Sequence, residues 1–506
     1  MDHPESRTRA RMMVAGVAWN AAGRGLPLLL ALLLTPILVH QLGVERWGLF
    51  TLALALVGVF SVFDFGVGQA LTRALSERIG AGRGEEAAGL VGAALTALGG
   101  LSLVMAVLLW FGVPHLVQRL LNVPAELQPQ AIAGMRVLAV AAPLVVLNAA
   151  LWGVLAAYQR FREANLVTIP VNIFYYLGPV LVLLVWDDLM GVMLALVAVR
   201  LANTLSYVLL LRRLMRQVLG TRLRLLLVLP LLRMGGWMSF SGVLTQALLY
   251  ADRFLIGALL SLAAVAYYAT PLDLVIRVWM VPVAVAQTLF PAFASAYATL
   301  PRQTTALLRR GALMVMGLVL PVALVLAGGG QQILALWLGP DFAAGGGLVL
   351  RILGVGIFFS CLAFVPSALV DAMGRPDATA RFALAQAVVY LPLAALLLLW
   401  QGIEGAAVAW ALRCAVDCLG KLWLAARLYP AAADAVRRLL PVLAAAGFGL
   451  ALLPGMASLP LMLTTGLLVL LAFAVLALRS LDPAERSQLR GLLRRPTGFL
   501  RAESRS

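Results

Sequence analysis

Long apolar runs alternate with short arginine-rich polar segments along almost the whole chain. Each run holds about 20 residues or more, the length a helix needs to cross a hydrocarbon core of about 30 Å. The pattern predicts helices over 14–39, 47–69, 89–113, 131–157, 166–186, 189–211, 234–259, 264–292, 312–336, 348–370, 379–400, 403–427, 438–455 and 459–479. That is an all-α polytopic membrane protein of about fourteen spans. The start, Arg7, Arg9 and Arg11 before an apolar stretch, has the look of a secretion signal. The apolar run continues past Arg24 to Val39, so an uncleaved first span is expected instead.

The polar segments set the orientation. Arginines such as Arg73, Arg78, Arg160, Arg212, Arg302, Arg375, Arg437 and Arg495 fall on the same side as the N-terminus. Roughly 29 basic residues lie there, against about three (Arg46, Arg119, Arg351) on the other side, and cytoplasmic loops are the ones that collect Arg and Lys. Both termini are therefore expected in the cytoplasm. The widest outer loop is expected at 114–130.

The basic stretch 212–233, with Leu225, Leu226 and Leu227 among its arginines, reads as a surface amphipathic helix between two halves. The organisation expected is a six-helix lobe over 1–211, the linker 212–233 and a second six-helix lobe over 234–430. A helix pair over 431–480 and a basic tail over 481–506 complete it. Trp47–Phe50 and Tyr267–Thr270 occupy corresponding places in the two lobes, as a parallel repeat would leave them.

Composition narrows the function. The chain is 62% hydrophobic and 12% charged, whereas soluble domains are about 45–50% apolar and about 25% charged. A soluble domain, a disordered chain and a nucleic-acid binder are excluded, and the net charge of +17 reflects orientation instead of a nucleic-acid partner. Cys361, Cys414 and Cys418 lie in apolar runs and lack the companions of a metal site. No phosphate-binding glycine loop occurs, and His3, His40 and His115 are terminal or in outer loops. No metal, cofactor or enzymatic activity is expected.

Ionisable residues inside the spans carry the chemistry, because their burial is costly and they face a cavity or a partner. They are Arg24, Arg136, Arg200, Arg253, Arg277, Arg413 and Lys421, with Asp64, Asp252, Asp273, Asp371, Glu404 and Asp417. Arg24 either lines a cavity or snorkels to the headgroups. Asp273 and Arg277, one turn apart, either pair with each other or line a polar interior, and Arg413, Asp417 and Lys421 form a similar ladder. Pro271, Pro282 and Pro291 crowd one span and predict kinks in it.

The stretches Gly23-Arg24-Gly25-Leu26-Pro27, Leu42-Gly43-Val44-Glu45-Arg46-Trp47-Gly48-Leu49-Phe50 and Phe63-Asp64-Phe65-Gly66 resemble the opening of the polysaccharide transporter family. Those are Wzx-type flippases of lipid-linked oligosaccharides, in the superfamily of the multidrug and toxin extruders and the lipid II flippases. Asp252-Arg253-Phe254-Leu255-Ile256-Gly257 and Phe290-Pro291-Ala292-Phe293 are similar to its second half. The resemblance implies two lobes around a central cavity that opens to alternate faces. Its cargo would be an undecaprenyl-diphosphate-linked glycan (an O-antigen, capsule or exopolysaccharide unit), moved among membrane lipids from the inner to the outer leaflet. A polysaccharide polymerase is a further implied partner. Arg24, Arg277 and Arg253 would hold the anionic cargo, and Asp64, Asp252, Asp273 and Asp417 are the candidates for ion coupling. A cation-coupled multidrug exporter of the same fold, and a membrane glycan polymerase or ligase, are the alternatives.

Overall fold

The computed structural model describes residues 4–60, 67–81, 84–214 and 248–481. The expected linker helix and the basic tail fall almost wholly outside these residues, as does Asp64. Every regular element among the described residues is helical. In order they are α1 (Pro4–Phe60), α2 (Val67–Gly80), α3 (Gly84–His115), α4 (Gln128–Ala157), α5 (Phe161–Leu183), α6 (Leu189–Leu214), α7 (248–259), α8 (Leu262–Ile276) and α9 (Met280–Ala296). There follow α10 (Pro301–Leu338), α11 (Pro340–Leu362), α12 (Phe364–Ala372), α13 (Pro376–Leu428), α14 (Ala433–Leu452) and α15 (Leu459–Ser480). Among the described residues, eleven helices are long and apolar enough to cross a membrane. The chain is a multi-pass membrane protein, and Leu461, Leu463, Leu467, Leu468 and Leu471 of α15 stay exposed, as a lipid-facing stripe does.

Two helices are long enough to cross a membrane twice. α1 has 57 residues and α13 has 53, about 80 Å each at 1.5 Å per residue. Each contains one glycine outside helical geometry, Gly43 at φ 75° and Gly402 at φ 66°. Only glycine adopts these angles without a clash at Cβ. The sequence pattern places breaks at the same two points, between 39 and 47 and between 400 and 403.

The expected single helix over 264–292 is divided. α8 and α9 are separated by a tight 3-10 turn at Arg277–Trp279. Pro282 lacks the N–H that would bond the Val278 carbonyl, and its ring crowds that carbonyl, so the turn just before it tightens.

The chain forms two compact units, Met1–Ala269 and Thr270–Ser506. In the first, α4 is central and packs on α3, α6, α2 and α1, while α5 lies on α6 and α1. Leu71, Leu75, Leu98, Leu151, Val154 and Leu211 fill the core at one end. The expected outer loop at 114–130 is shorter than the pattern suggests, because α3 continues as a π turn through Leu116–Leu120. Its remainder is anchored to α7, with the Asn122 N–H donating to the Gly257 carbonyl at 2.7 Å.

In the second unit, α10 packs along α11, α11 along α13, and α12 on α9. The sequence pattern counts Arg351 with the outer-side basic residues, and the structure shows how it is held. It lies within α11 and is 8% exposed. Its guanidinium donates to the carbonyls of Ala327 (3.1 Å), Met456 (2.7 Å) and Leu453, tying α10, α11 and the turn after α14 together. Arg351→Met should lower stability by about 3 kcal/mol, since charge-assisted hydrogen bonds are lost and buried carbonyls are left bare. Thermal unfolding of the purified protein in detergent measures the loss.

Candidate functional site

The embedded charges are disposed differently in each unit. In the first, α7 carries Asp252 and Arg253 side by side, so they point apart. Asp252 is 2% exposed and accepts a hydrogen bond from the Tyr268 hydroxyl at 2.8 Å. Arg253 is 3% exposed and lies 5.3 Å over the Tyr250 ring, so in this conformation it is not offered to a ligand. Arg136 is held near one end of α4, where it lies over the Trp110 ring at 5.2 Å and donates to the Trp110 carbonyl at 3.1 Å. Arg24 falls within α1, and its side chain is outside the described set. Arg200, halfway along α6, lies 5.1 Å over the Tyr175 ring of α5.

In the second unit, Arg277 opens the 3-10 turn between α8 and α9. It is half-buried, and among the described residues no ion pair joins it to Asp273, which has contacts of its own. The turn is fixed from the side by Trp279, whose Nε1 donates to Ser360 Oγ of α11 at 2.9 Å and whose ring meets Phe364 of α12. Backbone tightening and a side anchor thus present a guanidinium at the middle of a span, as a hinge between half-helices does.

The ladder on α13 is only partly formed as a ladder. Lys421 Nζ is 2.8 Å from Asp417 Oδ2, and Gln386 Nε2 donates to Asp417 Oδ1 at 3.2 Å. Arg413 instead lies 5.1 Å over the Tyr390 ring. Asp371 of α12 accepts from the Thr379 hydroxyl at 3.3 Å. Asp417 and Lys421 are only 18% and 21% exposed. Removing one partner from such a pair strands the other charge, so Asp417→Asn or Lys421→Met alone should cost about 3 kcal/mol, and the double replacement distinctly less than the sum. A double-mutant cycle on thermal stability checks this.

Of the residues singled out by sequence, Asp417 and Asp252 are already engaged, Arg253 is buried, and Asp273 and Arg277 stand at a helix break. The sequence pattern marks Arg200 as embedded but not its pairing with Tyr175, because that partner sits on another helix. Nor does it join Asp371 to Thr379, which lie on either side of the α12–α13 turn. Among the described residues, no group of three or more His, Cys, Asp or Glu could hold a metal ion.

Comparison with known proteins agrees with this architecture. A family model described as polysaccharide biosynthesis protein matches residues 13–297, more than half of the chain. A relative from Shigella flexneri described as a putative O-antigen transporter is 25% identical over 432 residues, covering 82% of this chain and 98% of its own. Two solved structures share the fold. An inward-closed structure of the lipid II flippase MurJ has a TM-score of 0.70 at 13% identity, over 92% of this chain and 99% of that one. An inward-facing multidrug resistance MATE transporter has a TM-score of 0.69 at 16% identity, over 82% and 99%.

Proposed function

We propose, from the premise that the chain belongs to the polysaccharide biosynthesis protein family, that it moves a polyprenyl-diphosphate-linked oligosaccharide from the inner to the outer leaflet of the cytoplasmic membrane. The observation that carries the reading is Arg277. It is a guanidinium at mid-span and on a helix break, with no ion pair to a carboxylate among the described residues, which suits an anionic cargo. A guanidinium binds phosphate oxygens in a bidentate, charge-assisted fork and stays charged when desolvated. We assign Arg277 and Arg24 to the diphosphate. A cationic drug would ask for free carboxylates, and Asp417 and Asp252 already have partners.

Alternating access, fourteen spans in two lobes with a C-terminal pair, and cytoplasmic termini belong to the same proposal. Coupling to an ion gradient through Asp64, Asp252, Asp273 or Asp417, and delivery to a polysaccharide polymerase, belong to it as well. Reporter fusions at Arg83, Arg222 and Arg495 should report the cytoplasm, and fusions at Asn122 and Asp187 the outer side. A reversed signal at Arg222 would overturn the two-lobe topology.

The functional test is complementation. In a strain that accumulates its lipid-linked glycan for want of a flippase, this chain should restore surface polysaccharide and clear the accumulated precursor. Expression in the membrane without either effect, across strains with neutral and acidic glycans, would contradict the reading.

A further inference from the structure

Arg200 is a second embedded cation whose placement calls for a ligand. It is the twelfth residue of α6, about 16 Å along a helix of 26 residues. That is the depth at which a charge is costliest and least able to snorkel. Two other embedded arginines are held by backbone carbonyls. Arg351 donates to three carbonyls, and Arg136 donates to one near a helix end. Arg200 forms no ion pair with a carboxylate among the described residues, and its guanidinium rests on the Tyr175 ring at 5.1 Å. The ring attracts the cation through its quadrupole and the Tyr175 hydroxyl is within hydrogen-bonding reach of it, which leaves further donors of the guanidinium's five N–H groups for a ligand.

The surroundings hold this arrangement in place. The Arg200 carbonyl accepts from Asn148 Nδ2 of α4 at 3.3 Å and from Thr204 Oγ1 at 3.0 Å, which fixes the α6 backbone at this turn. Tyr175 is set edge-on against Tyr176, 5.3 Å away, and Pro170 and Pro179 bracket the pair on α5. On one side Arg200 and Tyr175 wall a void of about 10 Å³ with Leu54, Val57, Leu138 and Leu196, which is room for about one water. A sugar or phosphate does not fit there. It would have to reach the half-buried guanidinium from outside that void.

We propose that Arg200, stacked on Tyr175, is an oxyanion-binding subsite of the first unit that takes a phosphate or a carboxylate of the cargo. The inference rests on the transport reading above and adds a contact separate from Arg24 and Arg277. A planar fork on an aromatic platform recognises the two-oxygen edge that phosphate and carboxylate share.

The test uses the full-length protein in lipid nanodiscs, in a background carrying Arg24→Gln and Arg277→Gln so that those two arginines are silent. Binding of inorganic pyrophosphate, glucuronate and uncharged glucose is followed by calorimetric titration. Arg200→Gln should weaken binding of at least one anion by about tenfold or more and leave glucose unaffected, with Arg200→Lys intermediate. Tyr175→Leu should weaken it about fivefold by removing the platform, and it serves as the test if Arg200→Gln fails to fold. Loss confined to pyrophosphate assigns the site to the carrier diphosphate, and loss confined to glucuronate assigns it to an acidic sugar. Unchanged anion binding in folded Arg200→Gln and Tyr175→Leu overturns the proposal. Failed complementation with Arg200-dependent binding intact would instead remove the flippase reading and leave the subsite standing.

Discussion

Arg277→Gln is expected to abolish restoration of surface glycan while the protein stays at its normal level in the membrane. The residue is half-buried at a 3-10 turn that Trp279 and Ser360 hold from the side, so the turn does not depend on the guanidinium. No ion pair with Asp273 needs it either, among the described residues. Glutamine keeps length and polarity but removes the charge and the fork. A charge-assisted bond contributes about 1.5–3 kcal/mol, so cargo affinity should fall roughly 10- to 100-fold. Arg277→Lys restores a point charge without the fork and should recover part of the export. Arg24→Gln should behave like Arg277→Gln. Surface polysaccharide and accumulated precursor, measured beside membrane protein level, check the series. Full export by both glutamine variants would make these arginines structural.

Gly48→Leu is expected to remove the folded protein altogether. A Cβ at position 48 would stand 1.9 Å from the Leu262 carbonyl oxygen, which is backbone at the start of α8 and cannot swing aside as a side chain could. Trp47, Leu49 and Phe50 around it are all buried, so α1 cannot retreat without opening the core. Overpacking a well-packed site costs about 1–3 kcal/mol when side chains can adjust. Here a backbone must move, so the cost should exceed about 4 kcal/mol, the range that singles out a specific structural failure. Gly48→Ala already places the Cβ in the clash and should destabilise strongly as well. Membrane protein level and thermal unfolding report the effect. Normal amounts of a normally stable Gly48→Leu protein would mean that α1 and α8 do not approach as closely as described.

The helical class was legible because apolar runs of membrane length leave few alternatives, and the breaks at Gly43 and Gly402 were legible as interruptions between runs. The start of α11 was not. The sequence pattern begins that span at 348, after Gly345, Gly346 and Gly347, which leaves Arg351 near its start. In the structure these glycines lie inside the helix, and Gly347 sits against Gln331 of α10. Small residues let membrane helices approach closely, a reason visible only once the neighbouring helix is in place. The embedded charges were legible as positions but not as sites, because their partners lie elsewhere in the chain. Arg200 meets Tyr175 on another helix, and Asp252 meets Tyr268. Only the Asp417–Lys421 pair, four residues apart on one helix, followed from spacing alone.

The most direct measurement is translocation itself. Purified protein reconstituted in proteoliposomes should move a fluorescent polyprenyl-diphosphate-linked oligosaccharide between leaflets, as read by a membrane-impermeant quencher or glycosidase. The rate should exceed that of protein-free vesicles and fall to their level in Arg277→Gln. Translocation no faster than in protein-free vesicles, by protein that remains folded in the bilayer, would contradict the account.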